Sequence, residues 1–154
     1  MTMFYLLVFM LMFFLPISSI SIEYFAFHNP NLVFLIGKWF VFWAIGIRVF
    51  TAASRQLVRP EFTAKDILGI ENKNDFIIVR ELGFSNIAIG TIAIVSLFIQ
   101  NWIPAAALAG CIFLGFAGIN HIFRRPVNSM EWIVLSSDLF VSFVLVIFLV
   151  LSAI

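Results

Sequence analysis

Charge is the scarcest property of this chain: nine Lys and Arg and eight Asp and Glu are spread over 154 residues, against 63 % hydrophobic residues and 20 phenylalanines. Soluble domains hold roughly 45 to 50 % apolar residues, so an aqueous globule is excluded. The net charge is +1 and the basic residues form no continuous stripe, which removes the electrostatic footprint of a nucleic-acid binder. The single cysteine, Cys111, sits in an apolar run. It excludes an intrachain disulfide, a C-x-x-C redox pair and a cysteine metal cluster, and reads as a small packing residue. The sequence also lacks a Gly-rich phosphate loop, a G-x-S-x-G elbow and an H-E-x-x-H pair. No catalytic residue, metal site or cofactor is therefore assigned.

What is present is a series of long apolar runs. A helix needs about 20 apolar residues to cross a hydrocarbon core of about 30 Å, and the chain offers five such segments, at about 3–22, 32–58, 76–99, 103–123 and 130–154. The expected fold is all-α: one polytopic membrane helix bundle of five spans, with a short amphipathic surface helix between the second and third. The first span carries no charge. Its strongest part, Met3 to Leu15, and the small-x-small pattern Ser19-Ile20-Ser21 also fit a cleaved signal peptide, whereas the absence of Lys or Arg before the run argues against one. A connection containing His28 follows, ended by the turn signal Asn29-Pro30. His28 has no second ligand near it in sequence and is predicted on the opposite side of the membrane from His121, so metal chemistry has no support.

The second span is unusual because Arg48 lies in its middle, out of easy reach of either interface, while Lys38 and Arg55 can snorkel to opposite ones. A charge at bilayer depth costs roughly 2.5 to 3.5 kcal/mol on insertion scales, so it normally faces protein and has a partner. Arg48, Ala52, Arg55 and Arg59 recur at helical spacing and predict a polar stripe flanked by Thr51 and Gln56. From Arg59 to Asp75 the sequence is polar and reads as a solvated connector. Thr63 and Asp66 suggest a weak capping box opening the surface helix, and Gly69 suggests its stop. Asp75 and Ser129 are candidate N-caps for the third and fifth spans. In the third span Gly83 and Gly90 are a heptad apart, and in the fourth Ala107, Cys111 and Gly115 are four apart. Both patterns suit close helix approach and predict that the fourth span is surrounded by others.

Basic residues set the orientation. Arg55, Arg59, Lys65, Lys73, Arg80, Arg124 and Arg125 flank the connections between spans two and three and between spans four and five. The positive-inside rule makes that side cytoplasmic, with the N-terminus inside and the C-terminus outside. At 1.5 Å per residue from these ends, Arg48 lies roughly 15 Å deep, Asp138 about 12 Å and Asn86 about 10 to 14 Å. Glu81, Arg55, His121 and Glu131 form a shallower layer with Gln56 and Asn120. Every span but the first thus brings a strongly polar group to one half of the membrane, and Asp138 is the obvious counter-charge for Arg48. Polar pairs of this kind can act as assembly contacts. The set Arg48, Asp138, Asn86, His121, Glu81, Arg55 and Glu131 combines an imidazole with several carboxylates, which points instead to a cavity for a ligand.

Trp43 to Pro60, Arg80 to Gly90, Gly115 to His121 and Ser137-Asp138-Leu139-Phe140 resemble a small bacterial family of five-span membrane proteins that has no assigned activity. The Gly-x-Arg helix followed by small-residue helices is more distantly similar to the DoxX-like four-helix membrane proteins. The likeness covers about residues 39–145 and implies the bacterial inner membrane. Some DoxX-like proteins accompany quinone-linked redox complexes, but this chain has no paired cysteines and no catalytic residue carries over.

The expectation is a non-catalytic protein that holds a membrane lipid or lipophilic small molecule in a polar pocket, or serves as an accessory subunit in a homo-oligomer or beside a membrane partner. The alternatives are an intramembrane enzyme acting on a lipid, isoprenoid or quinone through Glu81, Asp138 or His121, and a small transporter or proton path. The chain shows no internal repeat, so transport by alternating access would need an oligomer.

Overall fold

A computed structural model describes residues 2–28, 30–126 and 128–154; Asn29, half of the expected turn signal, lies outside them. Five helices among the described residues are long and apolar enough to cross a membrane. They are α1 (Met3–Ala26), α2 (Leu32–Val58), α4 (Phe76–Val95), α5 (Ile103–Arg124) and α6 (Ser129–Ser152). Between α2 and α4 lies the short α3 (Phe62–Ile67). The chain is an all-helical, multi-pass membrane protein.

The helices do not wind uniformly. In α1 the amide of Leu15 reaches back five residues to the Met10 carbonyl, which opens a wide turn directly ahead of Pro16. Proline has no N–H and its ring clashes with the preceding turn, so an inserted residue accommodates it. In α2 the wide turn spans Val41–Ile47 and the Arg48 amide bonds to the Trp43 carbonyl. One extra residue rotates everything after it by about 100° relative to a regular helix. The spacing from Arg48 to Arg55 lies beyond this turn, and both residues share a face as the sequence predicts. Arg59 leaves the stripe: it ends α2 at φ −138°, exposed, because Pro60 follows it.

Packing is built around α2. Val41, Ala44, Ile45, Val49 and Phe40 meet Ala93 of α4, Ala106, Ala107 and Leu114 of α5, and Val141, Leu145 and Phe148 of α6 in one apolar core. Glycines permit the closest approaches. A Cβ on Gly90 would stand 3.0 Å from the Phe50 amide nitrogen and 3.2 Å from the Gly46 carbonyl, and one on Gly83 would meet Leu57 and Gln56. The heptad pair of α4 therefore does face one neighbour, α2. The track on α5 faces α6 near Cys111, whose carbonyl accepts from Ser142 Oγ at 2.8 Å. However, α5 is not surrounded: Leu108, Ile112, Phe116 and Phe123 are exposed along its outer side. At the other end of the bundle α1 and α2 are joined by Glu23, which bonds Lys38 Nζ at 2.8 Å and Trp39 Nε1 at 2.9 Å.

The connections differ most from the sequence reading. The α3 helix opens after Glu61 with no side-chain cap, so Thr63 and Asp66 form no capping box. It closes on Gly69 at φ 65°, with the Ile70 amide reaching the Ala64 carbonyl at 2.7 Å. That left-handed position is what a glycine supplies without strain. Asp75 caps nothing with its side chain; Asn72 caps the turn leading into α4 by accepting from the Asn74 amide. Likewise Asn128, not Ser129, caps α6, accepting from the Glu131 amide at 2.9 Å. The α4 helix ends at Val95 rather than running to Ile99.

Candidate functional site

The polar residues of the expected inner layer converge on a cavity of about 180 Å³ walled by every helix of the bundle. A single water needs roughly 10 to 15 Å³ measured this way, so the space suits a molecular group rather than one solvent molecule. Arg48, Thr51, Ala52, Arg55 and Gln56 of α2 form one wall, and Asn86 faces it from α4. His121 of α5 and Ser137 and Asp138 of α6 form another wall, and Phe4, Leu7 and Val8 of α1 close an apolar side. Phe62, Thr63, Ile67 and Leu68 bring the α3 segment over the end.

This contact gives the short amphipathic helix expected between the second and third spans, and it limits the solvated part of residues 59–75 mainly to the outer side of α3 and to residues 71–74. Thr63 and Ala64 are buried while Glu61, Lys65 and Asp66 face out, so α3 is amphipathic with its inner side on the cavity. It is fastened there from α5 and α6: Arg124 Nη2 donates to the Leu68 carbonyl, and Asn128 Nδ2 donates to the Asp66 carbonyl at 2.7 Å. Asn128 therefore starts α6 with one amide atom and holds α3 with the other. These bonds also bring the two basic connections side by side at one end of the bundle.

Three polar pairs surround the space. Arg48 Nη2 donates to Asp138 Oδ1 at 2.6 Å and Nη1 to Ser137 Oγ at 2.9 Å, with Met12 Sδ at 3.5 Å beyond. The Ser137 hydroxyl in turn donates a hydrogen bond to the Val134 carbonyl at 2.7 Å. The pair is shielded, the side chains of Arg48 and Asp138 being 11 % and 7 % exposed, yet both line the cavity rather than a dry contact. A guanidinium has five N–H donors, so these partners do not exhaust Arg48. In the second pair Asn86 Nδ2 donates to Gln56 Oε1 at 2.7 Å. Asn86 Oδ1 is buried with no hydrogen-bond partner. In the third, His121 Nδ1 meets Glu131 Oε1 at 2.8 Å. A carboxylate there orients the ring and leaves Nε2 as its other hydrogen-bonding atom.

Of the residues expected at the site, Arg48, Asp138, Asn86, His121 and Arg55 thus border one space. Two do not. Glu131 is fully buried behind His121 and does not line the cavity. Glu81 is exposed on the outer side of α4, five residues and about 140° around the helix from Asn86. Depth groups Glu81 with the site and azimuth separates it, whereas Glu131 shares a face of α6 with Asp138 and is held back from the space by its bond to His121. Ser137 and Thr63 are not among the expected site residues, and Gln56 is expected only in the shallower polar layer. The signals were there for two of them: Ser137 adjoins Asp138, and Gln56 adjoins Arg55 at the end of the arginine stripe. Among the described residues no group of three His, Cys, Asp or Glu side chains could hold a metal ion.

Fold and site together define a multi-pass helical membrane protein with a partly open, largely apolar cavity between its spans that Arg48, Arg55, Asn86, His121 and Asp138 border. Comparison with known proteins finds no matching family model, no matching curated protein and no matching solved structure.

Proposed function

We propose that this protein binds a lipophilic ligand or lipid headgroup in the cavity between its spans, acting as a non-catalytic membrane protein or as an accessory subunit. The supporting observation is that the Arg48–Asp138 pair borders about 180 Å³ of open space instead of closing on itself. An ion pair retained only for assembly would gain from tight packing on all sides. In this reading Asp138 and Ser137 orient Arg48, whose spare N–H groups hold an anionic or carbonyl oxygen, and Asn86 and His121 supply further hydrogen bonds. The basic ends of α2 and α5 support an orientation with the N-terminus cytoplasmic and the C-terminus external, and the membrane that goes with this reading is the bacterial inner membrane.

Purification in a neutral detergent, followed by organic extraction and mass spectrometry, tests the proposal. A stoichiometric amphiphile that is retained by the wild type and lost on Arg48→Ala is the expected result. A folded wild-type protein that retains none, and acquires none from added membrane lipids, would overturn it. A chemical role is the second reading, supported by His121 and Asp138 bordering the same space; Glu81, on the outer side of α4, takes no part in it.

A further inference from the structure

Among the described residues, one cation at the cavity has no carboxylate partner, and it says what the bound headgroup must carry. Arg48 is matched by Asp138 at 2.6 Å, and the Glu131 carboxylate is taken up by His121 Nδ1 at 2.8 Å. Arg55 borders the same space, and among the described residues no carboxylate pairs with it; its neighbour is the Phe62 ring, 5.9 Å from the guanidinium carbon. An arginine near a membrane interface without a counter-ion attracts an anion. Next to it in sequence, Gln56 holds the amide of Asn86, a cavity-lining residue only 4 % exposed whose Oδ1 is buried without a partner. A buried acceptor without a donor is costly to maintain and rare in folded proteins. A ligand hydroxyl would satisfy it. If the Asn86 and Gln56 amides were flipped together, the orphan would be an N–H, and a hydroxyl would accept from it equally well.

We infer that the ligand is an anionic amphiphile whose headgroup also bears a hydroxyl: the anionic oxygen lies on Arg55, the hydroxyl on Asn86, and the chain along Phe4, Leu7 and Val8 of α1. This deepens the binding proposal and rests on it. The chain's path is available because α1 is the least buried of the spans. Arg55 lies seven residues toward the basic end from Arg48, about 10 Å along the helix, which sets the anion near the interface.

The test is a native mass spectrometry titration of the purified protein in neutral detergent with dioleoylphosphatidylglycerol, dioleoylphosphatidylmethanol, dioleoylphosphatidylcholine and free glycerol 1-phosphate. The first two lipids carry the same charge and differ in the headgroup hydroxyls; the third has no net charge. Phosphatidylglycerol is expected to bind about five- to tenfold more tightly than phosphatidylmethanol, and both more tightly than phosphatidylcholine. Asn86→Ala should collapse the first ratio to about one, and Arg55→Gln should abolish the preference for anions. Equal binding of the two anionic lipids by the wild type, each above phosphatidylcholine, overturns the hydroxyl assignment and leaves the binding site standing. Equal binding of all three lipids, unaffected by Arg55→Gln and by Arg48→Ala, overturns the site as well. Glycerol 1-phosphate binding as tightly as phosphatidylglycerol would move the anion to a soluble source and overturn the amphiphile. Because the hydroxyl comparison is read on the wild type, it stands even if Asn86→Ala fails to fold.

Discussion

Replacing Asp138 with leucine leaves the Arg48 guanidinium in place without its carboxylate, and the geometry sets the cost. With charge centres about 4 Å apart and an effective dielectric of about 20, the pair attracts by about 4 kcal/mol. Desolvation of each ion consumes several kcal/mol, so the intact pair is near break-even against an apolar replacement. The single variants are not. Asp138→Leu strands a cation that is only 11 % exposed, and Arg48→Met strands an anion. Each is expected to cost about 3 to 5 kcal/mol, whereas the double variant should lie within about 2 kcal/mol of the wild type. Unfolding in mixed detergent and dodecyl sulfate micelles, followed by circular dichroism, measures all four members of the cycle. The expected coupling is several kcal/mol. Additive single costs, with coupling below about 0.5 kcal/mol, would mean that cavity solvent rather than Asp138 carries the Arg48 charge, and the pairing argument would be wrong. The reversed pair, Arg48→Asp with Asp138→Arg, then separates assembly from binding. Recovered stability without recovered ligand assigns the pair to the site; recovery of both assigns it to assembly.

Other substitutions read the packing and the α3 cover. Gly90→Ala drives a Cβ against backbone atoms of α2 at 3.0 and 3.2 Å and should lower stability by about 1 to 3 kcal/mol in the same unfolding assay. Gly115→Ala meets the Ser142 side chain alone, its hydroxyl at 2.9 Å; turning the hydroxyl away gives up its bond to the Cys111 carbonyl, so the loss should be about 1 kcal/mol. Asn128→Ala removes the cap of α6 and the bond to the Asp66 carbonyl; it should cost about 1 to 2 kcal/mol and raise proteolysis between Arg59 and Asp75. Glu81→Gln, on an exposed side chain, should change stability by less than about 0.5 kcal/mol and leave ligand retention intact.

How much of this was legible in the sequence depends on which physical signal each feature leaves. The spans are legible because lipid demands long uninterrupted apolar runs. The Arg48–Asp138 contact is legible because a deep cation needs a partner and only one carboxylate lies at a similar depth. Gly83 and Gly90 are legible as a face because both lie on a regular stretch of α4. Three features are hidden. The wide turns in α1 and α2 leave no local pattern beyond Pro16, since the second arises where Gly46 packs against the α4 backbone, at 3.2 Å from the Ile94 amide nitrogen to a Cβ built on the glycine. Glu81 shares a depth with the site but not an azimuth, and depth counting discards the angle. Residues 59–75 look solvated because their composition averages an inner side, Thr63 and Ala64, with an outer side, Glu61, Lys65 and Asp66.

The cover over the cavity explains why the polar groups gather at this end of the bundle rather than at the other. At the opposite end α1 and α2 neutralise themselves, with Glu23 taking both Lys38 and the Trp39 indole, and the buried Ser96 hydroxyl donates to the Ala93 carbonyl at 2.8 Å. At the α3 end the connection between α2 and α4 is the longest of the four, and most of the basic residues flank the two connections. There α3 buries its apolar side by lying across the helix ends, where Arg124 and Asn128 hold backbone carbonyls. Helices roofed in this way need not close on one another beneath the roof. The space that results is shielded enough to keep Arg48 and Asp138 paired, and polar enough to keep them from collapsing into an apolar core. On this argument the cavity and α3 are one device: loosening α3 by Asn128→Ala should weaken ligand retention even though Asn128 does not line the cavity, and unchanged retention in a variant with a demonstrably freed α3 would disconnect them.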